Sequence, residues 1–131
     1  MFKRIDHIEL VTAEPRRTID FYTGVLGFRV RSSDRVPRSS LGVPMQLVYL
    51  ELGGTTVELI HYEGAAVEAQ SPGERLGYRM MALEVDDMQR TLAYLKEKGV
   101  EAVWGPITRE HYARAEIRDP DGVHIELRQW L

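Results

Sequence analysis

The chain of 131 residues contains no cysteine, no long apolar run and no large excess of charge of either sign. Without cysteine it forms neither a disulfide nor a thiolate metal site, which fits a reducing, cytoplasmic compartment. No apolar stretch approaches the roughly 18 residues of a membrane span, and no apolar signal segment follows the first residues. The net charge of −3 gives no support to a nucleic-acid partner. The 44% apolar and 28% charged residues are typical of a single globular domain.

The sequence contains an internal duplication. The segment RTIDF at residues 17–21 is repeated as RTLAY at 90–94, and GTTVEL at 54–59 is repeated as GVHIEL at 122–127. Because the matches occur in the same order, we expect two related modules within one domain spanning residues 1–131. Their predicted bounds are 1–62 for the first module, 63–76 for a polar linker and 77–131 for the second module.

Each half is predicted to fold as a strand, a helix and three further strands. The predicted strands cover residues 5–12, 28–32, 45–52, 55–62, 78–85, 101–104, 111–118 and 123–130. One helix is expected from Pro15 to about Leu26, and a second between an Asp86 cap and Gly99. The polar stretch 32–44 is predicted to be a binding loop. The predicted class is α+β, with two βαβββ modules forming a curved, partly closed sheet around a cleft, and helices outside.

Alternation along the strands places several polar side chains opposite the core face. His7 and Glu58 take this position in the first half, and the repeat makes Met80 and Glu126 their counterparts. An imidazole with carboxylates from neighbouring strands suits a borderline divalent cation. We therefore predict a metal site at His7, Glu58 and Glu126. The alternative is an ordinary strand histidine with solvent-facing glutamates. Glu9, beside His7, is either a partner of His7 that supports the site or a charge at the mouth of the cleft.

Motifs along the whole chain resemble one known family. They are IDHI at 5–8, FYTGVLGF at 21–28, TVEL at 56–59, ALEVDD at 82–87, DPDG at 119–122 and IEL at 125–127. These segments resemble the vicinal oxygen chelate superfamily, which includes glyoxalase I, methylmalonyl-CoA epimerase, extradiol dioxygenases and bleomycin- or fosfomycin-resistance proteins. The resemblance implies paired βαβββ modules and metal ligands on the first and fourth strand of each module. The implied ligand positions are His7, Glu58, Met80 and Glu126.

Met80 departs from the family pattern, which usually has a histidine or a similar ligand there. A thioether is soft and uncharged, so hard and borderline dications bind it poorly. Extradiol dioxygenases need the missing histidine, so we do not expect ring cleavage. Bleomycin-type resistance proteins bind their drug without metal, and Met80 then lines an apolar pocket.

The resemblance implies a metal-assisted isomerase or lyase of glyoxalase or epimerase type. It would act on a thiohemiacetal or an acyl thioester through an enolate-like intermediate, with Ni, Co, Zn, Mn or Fe as cofactor. Glu116 is the predicted general base and Glu58 the second candidate; alternatively, Glu116 pairs with Arg114 at a solvated sheet edge. The expected substrate contacts are Gln46, Val48, Met80, Arg114 and His124. The alternative function is a metal-independent small-molecule binding protein of antibiotic-resistance type, and in either case we expect a homodimer.

Overall fold

The computed structural model describes residues 1–131 and divides them into two compact units, Met1–Glu68 and Ala69–Leu131. The boundary falls within the stretch that the sequence marks as a linker. Each unit contains one four-stranded sheet and one helix. None of the helices has the length and apolar character that crossing a membrane requires.

The first unit is a complete βαβββ module. Its elements are β1 (Ile8–Val11), α1 (Pro15–Gly24), β2 (Arg29–Val36), β3 (Met45–Leu52) and β4 (Thr55–Tyr62). The strand order is β1-β4-β3-β2, and β1 runs parallel to β4 while the other pairs are antiparallel. The parallel pair needs a crossover, and α1 with the two following strands provides it.

The second unit repeats this arrangement. Its elements are β5 (Met81–Glu84), α2 (Met88–Glu97), β6 (Trp104–Thr108), β7 (Tyr112–Arg118) and β8 (His124–Trp130). The order is β5-β8-β7-β6, again with the first strand parallel to the last. The α+β class with a duplicated βαβββ module, predicted from the repeat, is confirmed.

Local sequence chemistry explains where the helices begin and end. Pro15 opens α1, where its missing N–H costs no hydrogen bond. Asp87, rather than the predicted Asp86, caps α2, and its carboxylate accepts from the Arg90 N–H at 2.8 Å. This shift follows from cap geometry, because the cap must lie three residues before the N–H that it satisfies. Gly99 follows the helix with φ of 78°, a left-handed conformation that favours glycine.

Two edge strands differ from the sequence prediction. The predicted loop at 32–44 is shorter, because β2 continues through Val36, which pairs with Met45. An edge strand needs only backbone pairing on one side, so the polar residues there read as a loop. The strand β6 begins at Trp104, where the sequence predicted the strand to end. Pro106 cannot donate to the ladder, and the edge position of β6 with a register shift between Trp104 and Ile107 accommodates it.

Glu63, just after β4, ties the end of this strand to β3 and to the edge strand β2. Arg35 donates to the two carboxylate oxygens at 2.9 Å each, and Gln46 donates at 3.0 Å. The hydrogen bonds from Arg35 and then Gln46 lower the pKa of Glu63 from its usual 4.5 to about 2. A carboxyl group with a lowered pKa stabilises the fold above its unfolded pKa, and this contribution is lost as pH falls through the folded value.

Glu63→Gln is therefore expected to flatten the loss of stability between pH 4.5 and about 2. At neutral pH the melting temperature should fall only slightly, because the Arg35–Glu63 pair is partly exposed. Thermal melts across this pH range measure both effects. The matched control is Glu68→Gln at an exposed position, which should keep the wild-type pH profile. Equal pH profiles for wild type and Glu63→Gln would contradict the assignment.

Candidate functional site

The registers of the two parallel strand pairs preserve the repeat equivalence. Ile8 lies opposite Val57 in the first unit, and Met81 lies opposite Ile125 in the second. His7 and Met80 therefore occupy the same position, one residue before the first strand of each unit. Glu58 and Glu126, both buried, correspond in the same way.

A histidine and two glutamates meet in the first unit. His7 Nε2 lies 3.0 Å from Glu58 Oε2 and 3.5 Å from Glu9 Oε1. One ligand atom from each of the three residues lies within 4.8 Å of the other two. Glu58 is buried, His7 is half-buried and Glu9 is exposed. This is a possible His–Glu–Glu metal site, and nitrogen and carboxylate donors of this kind suit borderline dications.

The surroundings of His7 orient its ring towards the two glutamates. His7 Nδ1 lies 3.0 Å from Asp6 Oδ2, and this hydrogen bond lowers the pKa of Asp6. The same hydrogen bond raises the pKa of His7, with smaller contributions from Glu9 and Glu58. Metal-ligating histidines commonly donate their other ring N–H to a carboxylate in this way. Because Nε2 faces only carboxylate oxygens, it either carries a proton or shares a cation with them. The first unit therefore fits a divalent cation.

Tyr49 is a site residue that the sequence analysis missed. It lies opposite Glu58 in the β3–β4 ladder, and its hydrogen bond to Glu58 raises the pKa of Tyr49. The Arg31 guanidinium lies 5.6 Å from the Tyr49 ring centroid. Glu116 lies opposite Glu126 in the second unit, so Tyr49 is its counterpart. The offset that aligns Glu58 with Glu126 would pair Glu116 with Val48 instead, but the chain from Glu116 to Glu126 is one residue longer than the chain from Tyr49 to Glu58.

The ladder corrects the placement of two predicted substrate contacts. Val48 lies opposite Leu59, and Gln46 lies opposite His61. Directly opposed residues share a sheet face, so both side chains lie on the core side rather than the Glu58 side. Gln46 donates to Glu63. The strand parity was misassigned because it was transferred across turns of unequal length.

Two buried carboxylates face each other in the second unit. Glu116 and Glu126 are opposed across β7 and β8, with 6% and 8% of their surface exposed. Arg114 Nη2 donates to both, at 2.8 Å to Glu116 Oε1 and 3.0 Å to Glu126 Oε2. Arg128 Nε donates to Glu126 Oε1 at 2.7 Å. Both oxygens of Glu126 thus accept from guanidinium groups.

Aromatic rings hold these two arginines. The Arg114 guanidinium carbon lies 4.7 Å from the Trp104 ring centroid. The Arg128 guanidinium lies 4.4 Å from Tyr112 and 5.2 Å from Trp130. Distances below about 6 Å over a ring face are those of cation–π contacts. The donor set at Glu126 therefore does not fit a metal as the sequence predicted, since a dication would have to displace two braced guanidinium groups.

His124 lies next to the predicted base. Its Nδ1 is 3.3 Å from Glu116 Oε2, and Arg118 Nε donates to its Nε2 at 3.2 Å. Because Arg118 only donates, Nε2 is the acceptor nitrogen and the proton lies on Nδ1, directed at Glu116. The sequence analysis named His124 only as a substrate contact, since its contact with Glu116 depends on the direction of the side chain.

A cavity of about 570 Å³ adjoins this network within the second unit. Met80, Glu116 and His124 line it on the strand side, and residues 69–74 line it on the linker side. Arg79 also contributes, and its Nε donates to Glu74 at 3.0 Å. The volume is that of a small-molecule site. Three of the predicted site residues therefore share one cavity.

Comparison with known proteins places the chain among glyoxalase-like proteins. The family model described as Glyoxalase/Bleomycin resistance protein/Dioxygenase superfamily matches residues 4–127. A lactoylglutathione lyase from Salmonella typhimurium is 29% identical over 126 residues, covering 95% of this chain and 90% of the relative.

Solved structures show the same architecture. A glyoxalase family protein from Bacillus cereus superposes with a TM-score of 0.85 at 22% identity, covering 100% of this chain and 96% of the other, a likeness of fold alone. The trypanothione-dependent glyoxalase I of Leishmania major gives a TM-score of 0.75 at 26% identity, covering 98% and 87%.

Proposed function

Since this chain belongs to the glyoxalase/bleomycin resistance protein/dioxygenase superfamily, we propose that it is a metal-assisted isomerase or lyase acting on a small carbonyl compound. The substrate class is a thiohemiacetal, as for glyoxalases, or an acyl thioester, as for epimerases. The observation that carries the proposal is the cluster of His7, Glu9 and Glu58, whose ligand atoms lie within 4.8 Å of one another. The cytoplasmic location and the homodimer expected from the sequence stay predictions.

The first-unit cluster would hold the metal ion through His7 Nε2 and oxygens of Glu58 and Glu9. Ni, Co, Zn, Mn and Fe are the candidate ions, since all accept mixed imidazole and carboxylate ligands. Such an ion would supply Lewis-acid stabilisation of the negative charge that develops on a carbonyl oxygen. Asp6 keeps the His7 ring oriented, and Tyr49 donates to Glu58 and fixes its carboxylate.

Glu116 is proposed as the general base. It is buried, it lines the cavity of about 570 Å³, and Arg114 and His124 hold its carboxylate in place. It takes a proton from the carbon beside the carbonyl. In a glyoxalase-type reaction the proton returns to the neighbouring carbon, and in an epimerase-type reaction a proton returns to the opposite face of the same carbon. Substrate contacts are proposed for Met80, Arg114 and His124. Glu58 is the second candidate for the base.

A second candidate function is metal-independent binding of a small molecule, as in antibiotic-resistance proteins. The observation that favours it is the character of the second-unit cavity, in which Met80 replaces a ligand and arginines neutralise the acidic pair. A cavity of this kind needs no ion to accept a ligand. Affinity would then be the same in metal-free and metal-loaded protein.

The test compares metal-free protein with protein loaded with each candidate ion. Turnover is followed on a thiohemiacetal of a 2-oxoaldehyde, and proton exchange with deuterated water on a chiral acyl thioester. We expect activity with at least one ion, and its loss in His7→Ala. The control His111→Ala removes an exposed histidine and should keep full activity. Binding of these compounds without turnover, at equal affinity with and without metal, would support the second function and exclude the first.

A further inference from the structure

The two equivalent buried glutamates have partners of different kinds, a histidine beside Glu58 and two arginines beside Glu126. We infer that Arg114 supplies, in the second unit, the positive charge that the first unit leaves to a divalent metal ion. The chain then binds one dication, through His7, Glu9 and Glu58, and none through Glu126. The inference rests on the proposed metal-assisted function, because the first-unit dication is part of that function.

The partners of the two equivalent glutamates differ in charge. The ion-pair partner of Glu58 is His7, and Tyr49 adds a neutral hydrogen bond. Glu126 instead has two ion-pair partners, Arg114 and Arg128, both permanently charged. A guanidinium group offers no lone pair to a metal ion, whereas an imidazole nitrogen is a common metal ligand. The first unit therefore places a nitrogen ligand beside its buried carboxylate, and the second unit places two fixed positive charges there.

The charge in the second unit is already balanced. Glu116 and Glu126 contribute two negative charges, and both are more than nine-tenths buried. Arg114 and Arg128 contribute two positive charges, and Arg79 Nη1 lies a further 3.6 Å from Glu116 Oε1. Adding a dication would leave two uncompensated positive charges at low local dielectric, which is strongly unfavourable. Expelling the guanidinium groups instead would break four charge-assisted contacts.

Arg114 is held by two carboxylates and one aromatic ring, although not all of its N–H groups form hydrogen bonds. Its Nη2 bridges Glu116 and Glu126, and Trp104 covers the guanidinium face. Its Nε is buried and has no hydrogen-bond partner. A buried donor without a partner is unfavourable, so the bridge must outweigh that cost. Arg114 thus takes the place between the two carboxylates that a cation would otherwise fill.

The first experiment measures metal binding alone, with Ni²⁺ and Zn²⁺ as probes. Calorimetry and metal analysis give the stoichiometry, and thermal melts give the shift that binding to the folded state produces. We expect one ion per chain, a loss of affinity of roughly tenfold or more in His7→Ala, and a change within about twofold in Glu126→Gln. A loss in Glu126→Gln equal to that in His7→Ala, or a second ion in the wild type, would overturn the inference.

The second experiment removes the charge of Arg114. Arg114→Gln keeps a hydrogen-bond donor but leaves the opposed carboxylates uncompensated, so a second binding event for Ni²⁺ or Zn²⁺ is expected. The double variant Arg114→Gln with Glu126→Gln should lose it again. A folded Arg114→Gln protein that gains no second ion would contradict the role of Arg114, and circular dichroism checks the fold.

The two experiments separate this inference from the proposed function. A wild type without any metal-dependent shift would refute the metal-assisted function. That result would also remove the first-unit dication from the inference, and the Arg114→Gln pair would then decide the role of Arg114 alone, since its gain is read in the second unit. If Arg114→Gln does not fold, the metal affinities of Glu126→Gln and His7→Ala decide whether Glu126 binds the ion.

Discussion

Glu116→Gln is expected to lower turnover by roughly 10²–10⁴-fold, the usual contribution of a general base. Gln has the shape of Glu and keeps one acceptor oxygen, which can retain the hydrogen bond from Arg114, while the amide nitrogen replaces the oxygen that faces His124. The lost function is proton acceptance, which an amide cannot perform. Substrate affinity should therefore change far less than kcat, and the KM-against-kcat comparison measures this difference.

The control for this prediction is Glu110→Gln. Glu110 is strongly exposed, and its side chain lies 3.8 Å from His111. We expect wild-type kcat from this control. A Glu116→Gln protein with unchanged kcat would rule out Glu116 as the base. Glu58→Gln would then be the variant to test, because Glu58 is also buried and accepts a hydrogen bond from Tyr49.

Leu59→Ala and Leu127→Ala are each expected to destabilise the chain by about 2–5 kcal/mol. The two leucines are equivalent by the repeat, and 1% and 2% of their surface is exposed. Truncation removes buried apolar surface and leaves a cavity that the sheet cannot close, because β4 and β8 each pair with strands on both sides. Urea or guanidinium denaturation measures the free energy of unfolding for both variants.

The matched control is Leu41→Ala. Leu41 is 55% exposed, so its truncation should change stability by less than about 0.5 kcal/mol. A small effect at only one of the two buried leucines would contradict the equivalence of the two cores. Similar large effects at both would show that each βαβββ module depends on its own fourth strand for stability.

The repeat and the strand alternation were sufficient to predict the modules and the pairing of His7 with Glu58. Both features depend on local periodicity, which the sequence shows directly. The edge strands were predicted less well, because Asp34 and Arg35 in β2 and Pro106 in β6 have loop-like composition. Their strand conformation comes from pairing with β3 and β7, which is a tertiary effect.

The partners of the acidic residues were beyond the sequence analysis. That Arg114 bridges Glu116 and Glu126 follows from side-chain directions on two neighbouring strands, and periodicity fixes only the face. The repeat alignment paired Glu116 with Val48 rather than with Tyr49, because the second unit has one extra residue between the opposed positions of β7 and β8. A motif match does not detect this difference. The contribution of Glu9 to the cluster was foreseen only as one of two alternatives.

The wall of the second-unit cavity formed by residues 69–74 contains no helix or strand. Adding or deleting residues there changes the dimensions of the cavity without shifting a register or opening a core. The strand positions around the cavity lack this freedom, since they hold the buried core or the arginine–glutamate network. Ligand size in this lineage should therefore diversify through length variation in 69–74, and a library for altered specificity is best placed there.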